Sequence, residues 1–432
     1  KMTMENMQLY IVLAITAFMI ISFVVGKIPY GVTTMTCCAL LAITGYYDVP
    51  QAFSGLCNKT TILIAGMFTL AYAFGKTSLI NRIRAQMTKI KGKSGLVLLA
   101  CMFGIAIVLA QLMGRTAVLS IMILFATSLS DDDELCPSRV ITAVFVVIAA
   151  WSLKVPIAAG ATMSATANAY YEGIVSDPAM MLQTGDFFKV AIIPCIALTI
   201  YALFAWKLIP KHAIDSSNVK EVKMTEAIPK KDEICIIVVF VGVMIAFFFG
   251  TKLGNLMNLA PAIGVLILIY TGSLTAKEAI TSMTGDMVWM IAGVLVVSDA
   301  MGSSGVGELI GSGILKILGD SPSGLVVMVV FAVVAIVMTT FMSNTGTAAI
   351  LSPIAASMAL AGGMDPRGIV LIVNIASIMA VAFPSGSAEC ALMFAAGRHS
   401  PVGLLKFTLP YLLIAVVTLV ISASIFFPVY PG

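Results

Sequence analysis

The chain has 432 residues, 60% of them hydrophobic and 11% charged, with a net charge of +4. A water-soluble domain carries about 25% charged residues, so a soluble fold is excluded, and the absence of a polybasic tail argues against a nucleic-acid partner. Apolar runs of roughly 17 to 25 residues recur along the chain, long enough to cross about 30 Å of hydrocarbon as helices, without the short alternating segments of a barrel.

The first run, near residues 8–26, lacks a small-residue cleavage pattern and is followed at once by a second, so it reads as a span rather than a signal peptide. Further spans are predicted near 29–46, 60–76, 139–172 and 188–209. Between the third and fourth, residues 95–130 are apolar except at Gln111 and Gly114-Arg115-Thr116, which predicts two half-length helices meeting at mid-membrane depth, a re-entrant hairpin. After a polar linker at 211–233 the same order returns. Spans near 234–250, 257–274 and 287–302 are followed by a second hairpin, 323–362, centred on Ser343-Asn344-Thr345, and by spans near 368–397 and 405–427.

Local matches point to a true repeat of 1–210 and 234–432. Ile64-Ala65-Gly66 corresponds to Ile291-Ala292-Gly293, and the hairpin tips follow 51 residues later at Arg115 and 53 later at Asn344. Five crossings per half require the halves to be inverted. Basic residues fit that topology: with the 76–95 loop and the linker cytoplasmic, seventeen Lys and Arg lie inside and six outside. The first hairpin then enters from the cytoplasm and the second from outside.

Helix breaks at membrane depth leave backbone groups that only protein or a water-filled cavity can satisfy. Besides the two tips, breaks are expected at Gly160–Asn168, inside the 139–172 span, and at Phe383–Cys390, inside 368–397. Paired discontinuous helices mark a secondary transporter's binding site: half-helix N-termini suit an anion, and unwound carbonyls suit a small cation such as Na⁺.

Ser343-Asn344-Thr345-Gly346-Thr347-Ala348-Ala349, then Pro353-Ile354 and a Pro-x-Gly-Ser break, with Ala52-Phe53-Ser54-Gly55 ahead of the third span, resemble the divalent anion/sodium symporter family, carriers of dicarboxylates, citrate and sulfate. The resemblance covers nearly the whole chain. It implies a homodimer in a bacterial inner membrane, in which a transport domain carries a small anion past a scaffold domain by an elevator-like motion, with Na⁺ as the coupling ion. Carried over residue by residue, it implies substrate contacts at Ser343, Asn344, Thr345, Ser387 and Ala388; Glu389, standing in the same break where the family more often has proline, is a further candidate contact. It implies sodium contacts at Thr339, Met342, Asn344 and Gly386.

The first half departs from the pattern. Gly114-Arg115-Thr116 stands where Ser-Asn-Thr is expected, and of a Thr-Pro-Pro-Asn-like element Ser164, Thr166 and Asn168 retain only the final Asn. Gly114, Arg115, Thr116, Ser164, Thr166 and Asn168 are the candidate substrate contacts of this half. Arginine cannot coordinate Na⁺, but its fixed charge and five donors suit a substrate carboxylate or sulfonate near a lost cation, with fewer coupled sodium ions as the consequence. The competing reading is a structural ion pair with Glu389. Lys154 either adds a second positive charge to the cavity or snorkels to the surface.

The run Asp131-Asp132-Asp133-Glu134 lacks an EF-hand pattern and reads as a solvated loop. The cysteines show no metal-ligand spacing and read as small buried hydrophobes, and the methionines as adaptable packing. His212 and His399 fall in loops. No Ser/His or His/Glu grouping lies within the spans, which argues against an enzyme. An alternative transporter, a cation/proton or arsenite antiporter, requires Asp299 and Glu389 as cation carriers.

Overall fold

The computed structural model describes residues 4–25, 27–78, 95–126, 129, 134–175, 177–212, 228–248, 255–319, 322–341 and 343–430. These form helices and connecting loops, with no β-strand among them. The loop at 79–94, residues 213–227 of the linker, Asp131–Asp133 and Met342 lie outside the described residues.

In chain order the first half contains α1 (Met4–Val25), α2 (Tyr30–Ile43), α3 (Lys59–Gly75), α4 (Gly95–Leu112), α5 (Arg115–Ala126), α6 (Pro137–Trp151), α7 (Met163–Tyr171) and α8 (Asp186–Ala205). The second contains α9 (Lys230–Phe248), α10 (Asn255–Tyr270), α11 (Ala276–Met283), α12 (Asp286–Ser303), α13 (Val306–Leu318), α14 (Gly324–Phe341), α15 (Asn344–Ala361), α16 (Pro366–Met379), α17 (Ala388–Gly397) and α18 (Pro401–Phe426). The pairs α4/α5 and α14/α15 are joined by only two residues and pack on each other. Between α6 and α7, and between α16 and α17, the chain leaves the α-helix and passes through a short 3-10 turn.

Two helices were not foreseen. Both are amphipathic: α11 starts with a capping box in which Thr275 and Glu278 satisfy each other's backbone N–H, and α13 packs on α15.

Among the described residues four helices reach 18 residues and are apolar enough to cross a membrane: α4, α12, α18 and α8 with its 3-10 extension. The outer faces of the long helices are apolar as well. Ile21, Ile43, Phe204, Val238, Tyr270 and Leu413 are all more than half exposed, and so wide an apolar surface is stable only against lipid. The chain is an integral, multi-pass membrane protein.

The interior divides into two cores that both draw on both halves. One gathers α4, α5, α6 and α8 with α14 to α18; the other gathers α1, α2 and α3 with α9 to α13, and α7 and the start of α15 contribute to both. At the centre of the first, α6 and α16 are buried along almost their whole length. In the second, each half's third long helix crosses the other half's second. On α3, a Cβ at Gly66 would stand 2.8 Å from the Ala262 backbone nitrogen of α10. On α12, a Cβ at Gly293 would overlap the Thr34 side chain of α2. The matched Ile-Ala-Gly motifs therefore do the same job, letting two helices approach closely where any side chain would force them apart.

Candidate functional site

Three helix N-termini converge beside the break of α6. Arg115 is the first residue of α5, Asn344 the first of α15, and Glu389 the second of α17. The latter two helices are capped by serine: the Gly346 N–H donates to Ser343 Oγ (2.9 Å), and the Cys390 N–H donates to Ser387 Oγ (3.2 Å). The capping leaves the first backbone N–H groups of each helix pointing into the convergence, with the positive ends of the helix dipoles.

Arg115 ties the three together. The Asn344 amide satisfies its surroundings when its nitrogen donates to Thr339 Oγ1 (2.7 Å) and the Ser377 carbonyl (2.9 Å), and its oxygen accepts from Arg115 Nη1 (3.1 Å) and Nη2 (2.9 Å). Arg115 Nε lies 3.7 Å from Glu389 Oε1, an ion pair too long for a good hydrogen bond. The same oxygen accepts from the Thr116 hydroxyl at 3.1 Å. Both sequence readings of Arg115 thus have a contact: it pairs loosely with Glu389 and donates closely to the second tip, with N–H donors left over.

Two cavities meet at this guanidinium. The larger, about 410 Å³, is lined by Gln111, Gly114, Arg115, Ser152, Gly160 and Glu389 among others. It falls in the size class of small-molecule sites, roughly 300–1,000 Å³. The smaller, about 120 Å³, is lined by Arg115, Thr162, Thr166, Asn344, Thr345, Asn374 and Ser377 with an apolar wall of Phe68, Met163, Tyr170 and Met287. Between them the backbone is strained: Leu153 (φ 64°) and Ala158 (φ 50°) occupy the left-handed region without being glycine, each costing about 1–3 kcal/mol.

Not every predicted contact reaches a cavity. Ser164 Oγ donates to the Gln183 carbonyl (2.7 Å), and the Asn168 amide brackets Leu182, donating to its carbonyl and accepting from its N–H, both at 2.9 Å. Both side chains are spent fastening the loop after α7, because the break in this half lies earlier, at 152–162, and by residue 164 the chain is already helical. Neither residue lines a cavity, and the same holds for Thr116, Ser343, Ser387 and Ala388. Thr162, Ser152, Asn374 and Ser377 take their place as cavity-lining polar residues. Asn374 and Ser377 had a visible signal, polar side chains inside an otherwise apolar buried helix; the other two sit in the break itself.

The second half gathers oxygen atoms suited to a small cation. The Thr339 hydroxyl donates to the Ser377 carbonyl (2.9 Å), and the Thr339 carbonyl faces Gly386, 3.3 Å from where a Cβ would stand. Thr339, Ser377, Asn344 and Gly386 therefore lie together, an oxygen-rich set that fits Na⁺. The one mismatch is the Asn344 oxygen, which is turned toward Arg115. Ala388 starts α17 beside this group.

Lys154 neither lines the cavities nor reaches the surface. It is 1% exposed, and its Nζ donates to the Ala149 carbonyl at the end of α6 (3.0 Å). The carboxylates required by an antiporter are apart: Asp299 accepts from the Tyr47 hydroxyl (2.6 Å) and lines a different cavity, with Asn58 and Glu172, from the one lined by Glu389.

Known proteins resemble the chain in sequence and fold. Over 406 residues the chain is 23% identical to an uncharacterized transporter of Haemophilus influenzae, covering 89% of this chain and 85% of that one. It is 27% identical over 276 residues to a putative malate transporter of Bacillus subtilis, covering 61% and 57%. To the chloroplastic dicarboxylate transporter 1 of Spinacia oleracea it is 23% identical over 327 residues, covering 71% and 56%. The crystal structure of the Alcanivorax borkumensis YdaH transporter superposes with a TM-score of 0.64 at 13% identity, covering 95% of this chain and 98% of that one, so the fold is shared. The family model described as citrate transporter (CitMHS) matches residues 11–382 and again 252–430, and the chain belongs to that family, a member of the same ion transporter superfamily as the divalent anion/sodium symporters.

Proposed function

We propose that the chain is a secondary active transporter of small di- or tricarboxylate-like or sulfate-like anions, with the substrate bound at Arg115. The observation that carries this reading is the meeting of three helix N-termini with a guanidinium at the junction of two cavities, an arrangement with positive potential and many donors. Gly114, Arg115, Thr116 and Thr166 of the first half, with Ser343, Asn344, Thr345, Ser387, Ala388 and Glu389 of the second, form the substrate site. The malate and dicarboxylate names of two relatives favour a carboxylate.

The coupling ion on the second half is Na⁺, held by Thr339, Met342, Asn344 and Gly386. In this reading Asn344 links ion to substrate. With no ion its oxygen rests on Arg115; with Na⁺ beside Thr339 the amide turns its oxygen to the ion and releases two guanidinium donors for the substrate.

Residues 1–210 and 234–432 act as inverted repeats joined by a cytoplasmic linker at 211–233, and the protein works as a homodimer in a bacterial inner membrane. The division of the interior into two cores, each taking corresponding helices from both halves, favours an elevator. In it the core with both helix pairs and both broken helices moves as the transport domain against the other.

Uptake of labelled malate, citrate, succinate and sulfate into proteoliposomes, with NaCl or choline chloride outside, tests the reading. Sodium-stimulated uptake of at least one is expected; Na⁺/H⁺ exchange with no anion uptake contradicts it.

A further inference from the structure

The first halves of the two broken helices stop inside the protein, and each leaves carbonyls without helical partners. In the second half the carbonyl two residues before the end of α16, Ser377, receives the Thr339 hydroxyl and the Asn344 amide. In the first half the carbonyl two residues before the end of α6, Ala149, receives Lys154 Nζ at 3.0 Å. From the first hairpin, Gln111 Nε2 donates to the Trp151 carbonyl at the end of α6 (3.4 Å), but among the described residues no hydrogen bond from this hairpin reaches Ala149. Counting back from Arg115 and Asn344, Ala110 stands where Thr339 stands, and Arg115 itself reaches across to Asn344.

Lys154 is fully enclosed, and no carboxylate of the described residues pairs with it. The titratable or charged groups facing it are the Cys195 thiol from α8 and the Arg115 guanidinium from α5, with Glu389 of α17 beyond Arg115. Cys195 donates to the Ala150 carbonyl (3.1 Å). An ammonium there is balanced only by the negative end of the α6 dipole. Its chain neighbour Leu153, in the left-handed region, lines both cavities, whereas Lys154 lines neither.

We propose that Lys154 is the cation of the first half: its ammonium holds, at the carbonyl end of α6, the place that the second half leaves to a dissociable ion, and its proton is the ion coupled on this side. This rests on the transporter reading above. A proton from water on one face adds to the amine lone pair, the loaded transport domain crosses, and the proton leaves to water on the other face, restoring the neutral amine; no other bond changes. Lysine, unlike arginine, can lose its proton when buried, so the choice of Lys at this position, with Arg at 115, divides the charges into one that titrates and one that does not.

The test is anion uptake by the full chain in proteoliposomes carrying a luminal pH dye, run for the wild type, K154R and the double variant K154A/A110T. Wild-type uptake is expected to carry acid inward and to vary from mildly acid to mildly alkaline pH. K154R keeps the charge and loses both the acid flux and the pH dependence. K154A/A110T copies the second half's threonine into the first; it loses the acid flux and gains stabilisation by NaCl over choline chloride in a thermal-shift measurement, which needs no transport activity. A lysine that only caps α6 would leave acid carried per anion unchanged in K154R. That result overturns the proposal, as does wild-type uptake without acid flux, or a K154A/A110T protein that is inactive and insensitive to sodium. A wild type that transports no anion refutes the transporter reading instead.

Discussion

Arg115 shows how one substitution redirects a site. Asn at this tip would be a neutral amide like Asn344; Arg brings a charge that does not titrate and a planar fork of donors, and the fork lands on the Asn344 oxygen rather than squarely on Glu389. Asn168, singled out in the sequence for the same reasons as Asn344, brackets the backbone of Leu182. Replacing it by alanine strands a part-buried N–H and C=O, so N168A is expected to lower stability by about 1–3 kcal/mol while leaving the KM for anion unchanged. A raised KM with an unchanged thermal midpoint would restore Asn168 to the binding site.

His399, in the loop between α17 and α18, tests a second residue-scale point. Burial, reinforced by His212 at 5.4 Å between ring centres, lowers its pKa from 6.5 to about 4 against the opposing contact with the Ser138 carbonyl. A base whose folded pKa is depressed stays neutral when folded and gains its proton when unfolded. Its contribution is complete above pH 6.5 and drains away as pH falls toward 4, by about 3 kcal/mol in all. H399Q should therefore flatten the loss of thermal stability between those two pH values; an unchanged acid limb would place the titration elsewhere.

At the scale of elements, much was legible. Hydropathy with Gly and Pro as punctuation placed the long helices within a few residues, because a membrane allows only long apolar helices and helix breaks with a reason. The helices the sequence hid are α11 and α13. Both are short and amphipathic, and carry no membrane-length apolar run. The site was half legible for a related reason: a charged or amide residue inside an apolar run is conspicuous, as Arg115 and Asn344 were, but its direction is not. Ser164 and Asn168 turn to the loop after α7, and Thr162 and Ser152 escaped because small hydroxyl residues are common in buried helices. The Ile-Ala-Gly motifs stood out in the sequence only as a sign of a repeat, and their role as helix crossings needed the structure. G66A and G293A should each overpack a crossing and lower stability by about 1–3 kcal/mol. Thermal unfolding of the two variants in detergent checks this, and a change in either one alone would mean the crossings are not equivalent.

At the scale of the molecule, an elevator requires the contacts between the two cores to break in each cycle. One such contact joins Asn58, at the start of α3, to Glu172, at the end of α7, with Asn58 Nδ2 donating to Glu172 Oε1 at 3.0 Å. In a background without native cysteines, N58C/E172C bridged by Hg²⁺ is expected to stop transport and a reducing thiol to restore it. Full transport by quantitatively bridged protein would mean the two cores do not slide there.

The anion site at Arg115 is tested most directly by counterflow of labelled malate or citrate, whichever the wild type carries, into proteoliposomes holding equal amounts of wild type and R115A. Counterflow is driven by substrate alone and depends on binding and exchange whatever the coupling ion. R115A is expected to fall to the protein-free background while its thermal midpoint stays within a few degrees of the wild type; near-normal counterflow by folded R115A would contradict the assignment.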